Sequence, residues 1–297
     1  MQYAKPHPVR SFENLRDRVD RLIRPSKKSS SKPSQLLLDF PFELKPKKNI
    51  IYPSKSIWEF LNFICDAVPD GEVYLFGGVL RDMALLGKRG FGSDIDVVVE
   101  GAWDNCVNYL ESNGAKRNKF GGFRLEIDGW PVDIWNAEET WAIKQGLVEY
   151  KSIASLTETT VLNWDAILMN WRTRSFICRD KYLEELRSRV LDVVLEKNPD
   201  PLGMVVRVFR HFCLKDARKI SANALVYLAN STAIYSFETI KNREIQSYGN
   251  TMIAPPVYKF FAYLKEKEYM DLQSRYSVVS NILKKELDLS SPFSFNT

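Results

Sequence analysis

Glu72-Val73-Tyr74-Leu75-Phe76-Gly77-Gly78-Val79-Leu80-Arg81-Asp82, followed shortly by Gly92-Ser93-Asp94-Ile95-Asp96-Val97-Val98-Val99, decides how this chain reads. Glu72 to Phe76 holds β-branched and aromatic residues and reads as a strand. Two adjacent glycines end it, and glycine reaches backbone angles that a side chain forbids, so the pair marks a sharp bend. Val79 to Leu86 resumes with helical spacing and stops at Gly87. Ile95 to Val99 is again β-branched and reads as a second strand. Strand, bend, helix and strand in such short order predict an α+β arrangement.

Asp94 and Asp96 stand two residues apart at the start of that second strand. Residues i and i+2 of a strand point the same way, so the two carboxylates share a face and Ile95 faces the packed side. The bend before them lets backbone come close to a triphosphate, and the N–H groups opening the next helix attract anions. Carboxylates beside such a turn can hold two magnesium ions, which favour carboxylate and phosphate oxygens. One ion would activate an acceptor hydroxyl, and the other would hold the β- and γ-phosphates of a leaving pyrophosphate. A D-x-D alone is as readily a surface turn, but one behind a Gly-Gly bend and ahead of an apolar strand favours catalysis. A third carboxylate is expected from a neighbouring strand. Asp133 in Trp130-Pro131-Val132-Asp133-Ile134-Trp135 fits, because its apolar flanks point away from it. Glu126 and Asp128 compete, although Asp128-Gly129 reads as a hairpin turn.

Outward from this centre, Ile57, Phe60, Leu61, Ile64 and Cys65 space a helix over 56–68, and 102–110 spaces another. Strands are expected at 119–127 and 132–135, and a hairpin from 166–170 to 175–178. Beyond Asp180 the pattern turns helical, with candidates at 181–196, 202–214, 222–230, 237–247, 256–268 and 272–287. The expected fold class is α+β: a mixed-sheet head over 49–178, then an all-helical neck and body over 179–297. Residues 1–48 read as a basic, partly disordered N-terminal arm. Within it Phe12 to Ile23 is spaced as a short amphipathic helix able to dock on the body or a partner, and 25–34 is a polar linker.

The arm carries 12 Lys or Arg against 5 Asp or Glu, while the whole chain nets only +5, so the rest nets −2. Such arms meet phosphate backbones or simply stay solvated. The 297 residues can bury a substantial core, and no apolar run is long enough for a membrane span. The N-terminus lacks the apolar segment of a secretory signal, which points to the cytoplasm. The 4 cysteines form no C-x-x-C pair and read as small core residues. With only 2 histidines, His7 in the arm and His211 in a helix, no Ser-His-Asp or Cys-His arrangement is available. Nothing in the sequence specifies an oligomeric state.

Gly-Gly-x-x-Arg-Asp followed by Ser-Asp-Ile-Asp resembles the polymerase-β-like nucleotidyltransferase superfamily, most of all the branch of bacterial tRNA CCA-adding enzymes and poly(A) polymerases. The likeness runs from about Leu61 to Lys219. It implies an α+β head before a helical neck and body, roles in nucleotide binding for Gly77, Gly78 and Ser93, and for Arg81 and Asp82 a part in organising the bound triphosphate or the active-site helix. Leu162-Asn163-Trp164-Asp165-Ala166-Ile167 resembles the family's Phe-Thr-x-Asn-Ala-Leu segment near the nucleotide sugar, with Asn163 where the family has Thr and Asp165 where it has Asn. Asp200-Pro201-Leu202, with Arg207 and Arg210 after it, resembles the family's Asp-Pro-Leu-Arg stretch. Arg207 and Arg210 lie a turn apart on one helix face, where they could clamp phosphates or form salt bridges to the head. One departure stands out. The family's Glu-Asp-x-x-Arg element selects C or A, but here Pro199 replaces Glu and Gly203, or Met204 with one insertion, replaces Arg. An Asp alone offers no donor to pair with a base edge.

The resemblance and the acids together predict transfer of a nucleoside monophosphate from an NTP to a hydroxyl, with magnesium, most naturally to an RNA 3′ end such as that of tRNA. Transfer to a protein, a small molecule or a nucleotide is the alternative, and an RNA-binding module without catalysis is the third.

Overall fold

The computed structural model describes residues 7–24, 50–51, 56–253, 257–258, 261–262 and 272–287. They fall into two compact units, one of 7–159 with 165–180 and one of 160–164 with 181 onward. The helix expected over 256–268 lies largely outside the described residues.

The first unit is built on a mixed seven-stranded sheet. Its strands are β1 (Ile50–Ile51), β2 (Glu72–Phe76), β3 (Ile95–Glu100), β4 (Phe123–Ile127), β5 (Trp130–Asn136), β6 (Ile167–Asn170) and β7 (Phe176–Cys178). Their order across the sheet is β1-β4-β5-β3-β2-β6-β7. Strand β3 is central, parallel to β5 and antiparallel to β2. Val73, Leu75, Val97, Val98 and Val99 are fully buried, as continuous apolar runs covered on both faces should be. Helix α3 (Gly78–Leu85) packs on β2, β3 and β6, α2 (Ile57–Ala67) packs on β2 and on α4 (Trp103–Ser112), and the one-turn α5 (Trp141–Lys144) follows β5. Alternation sends Tyr74, Phe76, Val98 and Leu168 to the other face. There they form a core with Ala137, Ile153 and Leu156 from short 3-10 turns.

The hairpin between β4 and β5 forms as its residues require. Asp128 and Gly129 take φ of 52° and 77°, the consecutive positive angles of a type I′ turn. Strand β4 starts later than expected, because Asn118 N donates to Gly122 O at 2.7 Å and turns the chain just before it.

Residues 7–24, read with the basic arm, are part of this head. Helix α1 (Phe12–Ile23) buries Leu15, Val19 and Ile23, lies against α3, and is capped by Ser11, whose hydroxyl accepts from Asn14 N at 3.3 Å. Arg18 Nη1 donates to the Met83 carbonyl at 3.0 Å, and Phe12 stacks on Phe176 with centroids 5.2 Å apart. The remainder of the arm lies outside the described residues.

The second unit holds α6 (Tyr182–Ser188), α7 (Pro201–Leu214), α8 (Ala222–Ile234), α9 (Phe237–Tyr248) and α10 (Leu272–Leu287). It corrects one expectation, that the body is helical throughout. The helix predicted over 181–196 ends at Ser188, where Arg189 turns left-handed at φ 58°. Strand β8 (Val190–Leu191) then pairs in parallel with β9 (Lys219–Ile220). Val190, Val193 and Val194 make this run favour extended backbone. Trp164, fully buried, ties 160–164 to the unit by donating from Nε1 to Val190 O at 2.7 Å, while Tyr182 Oη donates to Trp164 O at 2.9 Å.

Candidate active site

The glycine bend and the acidic strand meet within the head. Phe76, last in β2, lies opposite Asp96 in the antiparallel ladder. Gly77 follows with φ 62° and ψ −116°, angles that a side chain strains against, and donates from N to the Ile167 carbonyl at 3.0 Å. Gly78 opens α3, whose N-terminus carries no side-chain cap. Gly78 sits in a close packing instead: a Cβ there would stand 3.0 Å from Ser93 Cβ and 3.1 Å from Ser93 Oγ, so Ser93 would have to shift. On that side the close approach expected for a triphosphate is taken by the chain's own Ser93.

Buried Arg81, Asp82 and Asp165 form one bracket with the half-buried Ser93. Arg81 Nε donates to Asp82 Oδ1 at 2.9 Å, Nη2 donates to Ser93 Oγ at 2.8 Å, and Nη1 pairs with Asp165. Ser93 Oγ in turn donates to Asp82 Oδ2 at 2.7 Å. Asp82 is 0% exposed and Arg81 6%. A buried guanidinium with its fork engaged on three side chains acts as a strut. It locks the residue before Asp94 onto α3 and fixes Asp165 beside the bend.

Asp94, Asp96 and Asp133 share one face of the sheet. Asp96 is level with Asp133 in the parallel ladder of β3 and β5, and Asp94 precedes Asp96 by two. Ile95 is buried on the other side, as expected. A residue that sequence reasoning missed stands among them. Arg124 of β4, opposite Asp133, donates from Nη1 to Asp133 Oδ2 at 2.5 Å and from Nη2 to Asp94 Oδ2 at 2.8 Å. Burial works against its charge, but the hydrogen bond to Asp94 and the charges of Asp133, Asp94 and Asp96 outweigh that and raise its pKa above the ordinary arginine value. The signal was in the sequence: a two-residue turn at Asp128-Gly129 pairs 127 with 130, and therefore 124 with 133. All-oxygen acids on one face suit magnesium chemically. Among the described residues, though, no three His, Cys, Asp or Glu side chains close on one point as a ready metal cage. The Arg124 fork spans two of the three acids instead.

A family model described as a nucleotidyltransferase domain matches residues 57–211, more than half of the chain. The chain belongs to this nucleotidyltransferase domain family. Similar solved structures include a tRNA-processing enzyme in its apo form I, 17% identical with a TM-score of 0.52 over 78% of this chain and 66% of that one. A CCA-adding enzyme in complex with ATP is 18% identical with a TM-score of 0.51, over 74% of this chain and 55% of that one. These likenesses show the fold, an α+β head with a largely helical body, and this chain spans less than two thirds of either structure's length. No curated protein matches it.

The nucleotidyltransferase match extends into α7 of the second unit. Asn163 spends its side chain inside that unit: Nδ2 donates to Glu185 Oε2 at 2.9 Å and Val190 O at 3.1 Å, and Oδ1 accepts from Asp192 N at 2.9 Å. Asp200 caps α7 by accepting from Gly203 N at 3.0 Å and pairs with Arg243 of α9. Burial pushes the Asp200 carboxyl up, but the Arg243 guanidinium and the Gly203 N–H hold it below its usual range. Arg243, also missed, reaches Asp200 from 43 residues away, a contact no local pattern encodes. Arg207 and Arg210 share a helix but not a fate. Arg207 is exposed, whereas Arg210 donates to the fully buried Glu244 at 2.5 Å and lies 3.9 Å over the Tyr248 ring. His211 is buried and donates from Nδ1 to the Arg207 carbonyl at 2.8 Å, a packed histidine as expected. Burial pushes the thiols of Cys65 and Cys178 to about 11 and those of Cys106 and Cys213 to about 12, which suits inert cysteines.

Proposed function

We propose that this nucleotidyltransferase moves a nucleoside monophosphate from an NTP to a hydroxyl group, with Asp94, Asp96 and Asp133 as carboxylate ligands for two magnesium ions. The observation that carries this is the shared face of the three acids beside the Gly77-Gly78 bend, within a matched nucleotidyltransferase domain. Magnesium bound there supplies a more acidic acceptor hydroxyl and neutralises charge on the departing pyrophosphate. The chain's own residues do the positioning. Gly77 sets the bend, and the uncapped N-terminus of α3 offers N–H groups to the triphosphate. Arg81, Asp82, Ser93 and Asp165 act as the bracket that keeps Asp94 against the bend, so their part in nucleotide binding is indirect. Asn163 and Arg210 hold the body together. Arg207, exposed on α7, remains the better candidate of the two arginines for a phosphate.

An RNA 3′ end, tRNA-like, is the acceptor we favour. The basic residues of 1–48 suit a polyanion, and the similar structures are of a tRNA-processing enzyme and a CCA-adding enzyme. A second acceptor class, a protein, small molecule or nucleotide, is motivated by Gly203 where the family has its base-reading arginine. The Asp200–Arg243 pair bears on this, because together they present an acceptor and donors, which Asp200 alone does not.

Incubation with each radiolabelled NTP, magnesium and total RNA tests the reading. Label should enter RNA with the native chain and be lost with Asp94→Ala or Asp96→Ala, while circular dichroism shows that the fold is kept. Normal transfer by either variant rejects the site. Label found only on protein or a small molecule rejects the RNA acceptor.

A further inference from the structure

We propose that Arg124 is a resident cation of the acidic face, which holds Asp94 and Asp133 together before any metal arrives and makes metal loading depend on the nucleotide. The inference rests on the magnesium-dependent reading of these acids. Arg124 makes two bonds, 2.5 Å to Asp133 Oδ2 and 2.8 Å to Asp94 Oδ2, and so places a full positive charge between two acids that a divalent ion would approach. A positive guanidinium lodged between the two acids repels a divalent ion and takes up the space between them, so the two cations compete for the same pair of carboxylates.

The placement of Arg124 follows from the sheet. Its backbone is fixed opposite Asp133 by the ladder of β4 and β5, so the fork is delivered to the acids by register. Its Nε is buried without a hydrogen-bond partner among the described residues. The side chain is 31% exposed, which leaves it a way out toward solvent.

Competition has a direction. A bare divalent ion must displace the guanidinium and gains only the carboxylates. An ion arriving with a triphosphate brings its own oxygen ligands and added negative charge, to which a displaced guanidinium is attracted. Nucleotide therefore offsets the loss of the Arg124 contacts, and binding of metal and nucleotide becomes cooperative.

The test measures manganese binding to the full chain by electron paramagnetic resonance, with and without a non-hydrolysable NTP, for the native protein, Arg124→Gln and Arg124→Lys. Removing one charge-assisted bond pair should tighten bare manganese binding by about tenfold or more in Arg124→Gln. Lysine keeps a charge but cannot bridge both acids, so Arg124→Lys should fall between. The gain in manganese affinity on adding nucleotide should shrink in both variants. Melting without metal should fall in Arg124→Gln and recover when manganese is added. Unchanged or weaker bare binding in both variants overturns the proposal for Arg124. Native binding that Asp94→Asn leaves intact, with and without nucleotide, would instead overturn the site itself, so the two failures are told apart.

Discussion

Two adjacent glycines do different work in the bend. Gly77 takes φ 62° and ψ −116°, so the backbone itself favours glycine, whereas at Gly78 a side chain would crowd Ser93. Gly77→Ala should cost about 1–3 kcal/mol, the usual penalty for a side chain in a glycine-only region. Thermal melting of the purified variant measures it, and an unchanged midpoint would mean that the bend can relax. The same scale shows how an arginine's role depends on its surroundings. Arg81 is buried within hydrogen-bond reach of Asp82 and Ser93, Arg124 is shared between two acids, and Arg210 answers a buried glutamate. From the sequence Arg81 could organise the triphosphate or the active-site helix, and Arg210 could clamp phosphates or form salt bridges, because an arginine's type does not reveal which carboxylates the fold will bring to it.

Among elements, α1 deserves a different reading from the one its composition suggests. Its charges belong to a basic arm, but its apolar stripe, Leu15, Val19 and Ile23, is buried in the head. The periodicity was legible and the docking place was not, because an amphipathic stripe states only that it needs a cover. Leu15→Ala should destabilise the head by about 2–5 kcal/mol, as for other fully buried leucines. Urea denaturation followed by the fluorescence of the head's tryptophans reads this, and an unmoved midpoint would show α1 to be detachable. The hairpin of β4 and β5 is the opposite case. Its turn type, register and the pairing of Arg124 with Asp133 all follow from Asp128-Gly129. The short ribbon of β8 and β9 was unreadable, since two residues carry no periodicity and their partner lies far along the chain.

The whole molecule has a modest net charge that hides an uneven one, concentrated in residues 1–48. Because α1 is part of the head's packing, deleting the arm would confuse charge with stability. Replacing Lys27, Lys28 and Lys32 with Gln separates them. If the acceptor is RNA and these lysines meet its phosphates, affinity falls and the slope of log K against log salt becomes shallower by up to about 2, at roughly 0.7 per single-strand phosphate contact. Filter binding at several salt concentrations checks this, and an unchanged slope would remove these lysines from the interface.

By itself the sequence determined the bend, the shared face of Asp94 and Asp96, the hairpin that presents Asp133, and the passage from a mixed sheet to helices. Each rests on a local rule: glycine's backbone freedom, the two-residue alternation of strands, the turn chemistry of Asp-Gly and the helical repeat. Only the tertiary structure decided that β3 lies between β5 and β2, that Arg243 pairs with Asp200 and that Ser93 fills the space at Gly78. These are meetings of residues distant in the chain. Their partners are selected by which layers pack together, a global competition that no short window of sequence encodes.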